Sequence, residues 1–159
     1  MAMKALKIGL AVLGIVALIA IAMAPIGPMP GFFIGGTPVA APAQWPDTHD
    51  VDEIRLRVPG TLPRVVNIWV VESGGELYVV GARKSGWVSM LGEGGPVDMR
   101  LGDSTYRLHA AAVREGWEAV LTAYVDKYRP NYPDIVAGFP KPEEAGSQVA
   151  VFRLERPSS

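Results

Sequence analysis

Two hydrophobic patterns divide the chain, with the boundary near residue 47. Beyond it, apolar and polar residues alternate in short runs cut by glycine and proline. Ile54, Leu56 and Val58 alternate with Arg55 and Arg57, the period of two of a strand with one buried face, and Pro59-Gly60 stops the run. Val65–Val71 is apolar except at Asn67, which predicts a central strand covered on both faces, and Ser73-Gly74-Gly75 returns it as a hairpin into Leu77–Gly81. Val97, Met99 and Leu101, the turn at Gly102-Asp103, then Tyr106, Leu108 and Ala110 predict a second hairpin. Trp117, Val120, Leu121, Tyr124, Val125 and Tyr128 recur at helical spacing. Residues 129–148 are punctuated by Pro130, Pro133, Gly138, Pro140, Pro142 and Gly146, so loop is expected there apart from a helical turn at Asp134–Ala137. Val149–Leu154 is the last strand. The expected fold is mainly β (α+β): residues 47–159 form a small six-stranded split antiparallel barrel with a helix covering an opening.

Residues 8–46 contain no Asp, Glu, Lys or Arg, and IGLAVLGIVALIAIAMA within them is continuously apolar or small. A helix over Ala5–Ala24 has the ~20 residues needed to cross a ~30 Å hydrocarbon layer. Residues 1–24 therefore read as an N-terminal transmembrane anchor ended by Pro25 and Pro28. The competing reading is a secretory signal, with Lys4 and Lys7 as its basic region and Ala22-Met23-Ala24 as its cleavage site. Against cleavage stand Pro25 directly after that site and an apolar run longer than the usual signal core. Lys4 and Lys7 precede the run and no basic residue follows until Arg55, so the positive-inside rule places the N-terminus in the cytoplasm. The expectation is a single-pass cell-membrane protein, its partner the lipid bilayer, with an extracytoplasmic domain. Residues 25–46 form a Pro/Gly-rich juxtamembrane linker. Phe32, Phe33, Ile34 and Trp45 leave it two paths, along the lipid headgroups or packed onto the domain.

A length of 159 residues suits one domain with an appendage. Formal net charge is -1 and the pI about 6.1, which gives no field for nucleic acid. With no cysteine, disulfides and thiolate chemistry are excluded. The mean hydropathy of +0.21 is raised by the N-terminal run. Asp47–Glu53 is an acidic lead-in without the spacing of a calcium loop, His49 and His109 lack metal-ligand spacing, and no G-x-S-x-G elbow occurs. No metal site is expected.

The candidate chemistry lies in LYVVGARKSGWVSML, Leu77–Leu91, where a strand breaks into a basic, hydroxyl-bearing turn before an aromatic. Arg83 offers a planar fork of donors, Lys84 a point charge, and Ser85 and Gly86 further donors at a helix start, a set suited to phosphate; Trp87 can stack on a flat ring. The plain alternative is a solvated turn in which Ser85 caps a short helix and Trp87 fills the barrel mouth.

The order of elements, with LYVVGARKSGW, VDMRLGDSTYRLHAAAV, WEAVLTAYVDKY and VAVFRLERP, resembles the split β-barrel flavin-binding superfamily over roughly residues 54–156, and within it the deazaflavin-dependent nitroreductase and quinone-reductase branch. The resemblance implies that Arg83, Lys84, Ser85, Gly86 and Trp87 hold the phosphate and ribityl tail of FMN or a deazaflavin. It also implies that Tyr128 and Tyr132 line the substrate side, and that the barrel forms a homodimer. The chain departs from that branch in having Gly86 directly before Trp87 and Met90-Leu91 after it. The function so implied is a membrane-anchored oxidoreductase that reduces a hydrophobic acceptor such as a quinone or nitro compound. The rival is a non-catalytic envelope module that has lost the cofactor and binds a lipid, a haem-like ligand or a partner protein.

Overall fold

A computed structural model describes residues 30–140 and 142–157. The transmembrane anchor expected over residues 1–24, and the first part of the linker, lie outside these residues. Among the described residues no helix is long and apolar enough to cross a membrane.

The strands are β1 (Thr37–Val39), β2 (Glu53–Val58), β3 (Arg64–Ser73), β4 (Glu76–Ala82), β5 (Gly94–Leu101), β6 (Ser104–Ala112) and β7 (Val149–Glu155). They follow the order β1-β6-β5-β2-β3-β4-β7, and a further β6–β7 pairing closes β2 to β7 into a six-stranded antiparallel barrel. Closure leaves those six strands with few open edges. One edge of β6 is shared along its length. Thr37–Val39 pairs in parallel with Ser104–Tyr106, and β7 takes over at His109–Ala112.

Alternation explains the core. Leu56 and Val58, Val70, Leu77 and Val79, Val97 and Met99, Leu108, and Phe152 and Leu154 all turn into the barrel and are buried. The apolar run of β3 serves two faces. Val66, Ile68 and Val70 pack in the barrel core, while Trp69 and Val71 meet α2 (Trp117–Tyr128) on the outer wall.

The helix expected to cover an opening therefore lies on the wall instead, and the barrel end is filled by α1 (Gly86–Leu91), which buries Trp87, Val88 and Leu91. The Trp87 ring and Val88 occupy the space where a Cβ on Gly81 would stand, so the strand can pass only as glycine there. After α2 come α3 (Pro133–Ala137), matching the expected helical turn, and α4 (Pro142–Gln148), where loop was expected. Proline is compatible with a helix at its first turn, which is where Pro142 stands.

Residues 31–45 lie on the barrel wall, one of the two paths the sequence left open. Gly31 exchanges backbone hydrogen bonds with Val65 at 2.8 Å each way. The Ile34 carbonyl accepts from Arg55 and Arg100, and the Trp45 ring stands edge-on to Tyr106 at 5.3 Å.

Candidate functional site

The run Arg83–Trp87 leaves β4 and enters α1 with its side chains divided. Trp87 faces inward, 6% exposed, with its ring centroid 5.7 Å from that of Phe152. Arg83 and Lys84 are exposed. Ser85 is the helix N-cap residue but makes no side-chain capping bond, and its Oγ is buried without a partner among the described residues. The Arg64 guanidinium lies over Gly86.

Of these five residues, Arg83 alone lines a cleft of about 440 Å³ at this end of the barrel. Its Nε donates to the Gly146 carbonyl at 3.0 Å and its backbone N–H to Gln148 at 2.9 Å, which ties the turn to α4. Its terminal nitrogens have no partner among the described residues. Arg114, in the connection from β6 to α2, stands on the same cleft and donates through Nη2 to Glu93 at 2.7 Å. Both members of that pair are 77% exposed, so the pair is worth only ~0–1 kcal/mol and yields readily to another anion. Most of the cleft's accessible surface is polar; Val113 and Trp117 are half-buried at its border, while Val88, Ala150, Val151 and Phe152 beneath it are buried. The arrangement offers two guanidiniums on a polar cleft, a donor set that fits a phosphate-like anion. Arg114 escapes sequence reasoning because it belongs to no motif and meets Arg83 only through barrel closure.

Tyr128 and Tyr132 sit elsewhere, in the layer between α2 and β3. Trp69 stacks on Tyr128 at 4.1 Å and 10°, with Tyr132 at 4.9 Å and Tyr124 at 5.9 Å. The Tyr128 hydroxyl accepts from the Val70 N–H at 2.9 Å and lies 2.7 Å from the carbonyls of Asp52 and Val70, to one of which it donates. Burial raises its pKa and that of Tyr124 well above the usual phenol value. The Tyr132 hydroxyl donates to Asp52 at 2.7 Å, and that hydrogen bond raises its pKa. Lys127 donates to the carbonyls of Thr48, Val51 and Val70, each at 2.8 Å, while burial lowers its pKa. The hydroxyls and the ammonium are occupied in fastening the acidic lead-in and β3 to α2. Beside this layer a groove of about 530 Å³ runs between α2 and α3, lined by Leu121, Val125, Val136 and Phe139, and Trp117 borders both it and the cleft.

No family model and no curated protein matches the chain. Among solved structures it is similar to HutZ, the heme storage protein from Vibrio cholerae, with 13% identity and a TM-score of 0.49, covering 70% of this chain and 86% of that one. It is also similar to an FAD and heme binding protein from Mycobacterium smegmatis, with 15% identity and a TM-score of 0.48 over 69% of this chain and 62% of that one. A NimC/NimA family protein from Clostridium acetobutylicum gives 20% identity and a TM-score of 0.45 over 65% and 73%. The closed six-stranded barrel is read from the strand pairing itself.

Proposed function

We propose that this protein is a membrane-anchored split-barrel oxidoreductase that holds a flavin or deazaflavin in the Arg83–Arg114 cleft and reduces a hydrophobic acceptor such as a quinone or nitro compound. The observation that carries the reading is the convergence of two exposed guanidiniums on one cleft. Arg83 and Arg114 would take the anionic tail, and the half-buried Val113 and Trp117 would border the ring. The cofactor, when bound, supplies the hydride chemistry, while the chain supplies orientation. The apolar groove beyond Trp117 suits the acceptor.

The inward placement of Trp87 favours a second reading, a module that binds without turnover, because the aromatic that would stack on a flavin ring is part of the core. Titration of the full-length protein in detergent with FMN, FAD, oxidised and reduced deazaflavin, and hemin separates the two readings. Saturable binding of one flavin-type ligand should raise the melting temperature, since ~100-fold excess over Kd adds ~2.7 kcal/mol. Arg83→Ala with Arg114→Ala should weaken it at least ~10-fold, ~1.4 kcal/mol. Saturation by hemin alone, or an affinity that the double variant leaves unchanged, overturns the proposal.

A further inference from the structure

The end of the barrel that carries α1 exposes large apolar side chains on two separate elements. Leu62, in the turn between β2 and β3, is 72% exposed and Met90 on α1 is 41% exposed. The two elements meet: the Met90 Cε lies 3.0 Å from where a Cβ on Gly60 would stand. Gly31 is bonded to Val65, at the start of β3 on this side of the barrel. The Arg64 guanidinium spans from the β2–β3 turn onto Gly86, and Lys84 is exposed beside it. The β2–β3 turn and the run from β4 into α1, residues 58–65 and 81–92, contain no Asp or Glu, and Glu93 after α1 is paired with Arg114.

The chain itself supplies the orientation. Ala24, the last residue of the apolar run, is seven residues before Gly31, a separation that spans at most ~25 Å when fully extended. An anchor in the bilayer therefore holds the Gly31–Val65 contact, at the start of β3 and beside the β2–β3 turn, within that reach of the lipid surface.

We propose that the α1 end of the barrel is a docking face for an anionic phospholipid surface, with Leu62 and Met90 entering the headgroup region and Arg64 and Lys84 meeting lipid phosphates. The contact sets the Arg83–Arg114 cleft at the same end against the bilayer, where a lipid-soluble acceptor resides. It rests on the anchored reading, and cofactor affinity measured in detergent is independent of it.

The absence of cysteine makes single labels clean. Full-length Leu62→Cys, Met90→Cys and, as the distal control, Asp103→Cys, each carrying an environment-sensitive fluorophore, are reconstituted into phosphatidylcholine vesicles with or without phosphatidylglycerol. Flotation first shows membrane attachment, and brominated acyl chains then report contact. The labels at 62 and 90 should lose most of their emission to brominated lipid, more so with phosphatidylglycerol, while the label at 103 keeps its emission. Failure to float overturns both the anchor and this face. Flotation with equal emission at all three sites overturns the face alone, and equal quenching with and without phosphatidylglycerol overturns the role of Arg64 and Lys84. Shielding of 62 and 90 from aqueous iodide that varies with protein density and is indifferent to brominated lipid assigns the face to a second copy, which also overturns it.

Discussion

The α2 wall and the α1 end of the barrel use similar residues, aromatics with basic neighbours, and treat them in opposite ways. On the wall three polar tips are engaged: Lys127 is held by three carbonyls, and the hydroxyls of Tyr128 and Tyr132 are held by Val70 and Asp52. At the α1 end Arg83 and Lys84 reach solvent, and among the described residues the buried Ser85 Oγ has no partner and the helix no side-chain cap. Polar groups whose bonds are complete inside the fold contribute stability and specificity. Groups left open beside a cleft are available to a ligand.

Trp87 is the exception that sharpens the contrast, since it lies at the α1 end yet belongs to the core. Trp87→Ala should therefore cost the most, ~3–5 kcal/mol in urea denaturation; a loss below ~1 kcal/mol would show that the ring is not packed. Tyr128→Phe deletes the hydroxyl that joins α2 to β3 and should cost ~1–3 kcal/mol by the same measurement.

The raised pKa values of Tyr124 and Tyr128 fix the sign of an alkaline effect. Unfolded tyrosines ionise near pH 10 while these two stay protonated in the fold, so stability is intact below pH ~10 and falls as pH rises above it. Tyr128→Phe should make that fall shallower by ~1.4 kcal/mol per pH unit, and identical slopes would show that Tyr128 ionises normally. The smallest effect on stability belongs to Arg83→Ala, expected within ~0.5 kcal/mol of wild type because the side chain is exposed. A larger loss would move Arg83 into the structural class.

The six barrel strands were legible because each alternates, or, as in β3, is apolar on two covered faces. What stayed hidden is tertiary in origin. The three residues of β1 include Pro38 and show no alternation; they form a strand only because β7 leaves half of the β6 edge open to them. The helix over Pro142–Gln148 contains Gly146, so local propensity argued for loop. At the site, Arg83 was legible as a basic residue after a strand, whereas for Trp87 the sequence offered both ring stacking and filling of the barrel mouth, and only the fold selects the second, since α1 breaks the period of two that tells inside from outside. Arg114 joins Arg83 from 31 residues away in sequence, and no spacing rule connects them.

Hydrogen exchange of the full-length protein in detergent, with and without saturating flavin-type ligand, tests the division between the two regions most directly. Protection should increase at residues 83–93, 112–114 and 146–152, which build the cleft, and remain unchanged over residues 118–137 of the α2 wall. Protection confined to 118–137, with residues 83–93 unaffected, would place the ligand on the wall and contradict the account.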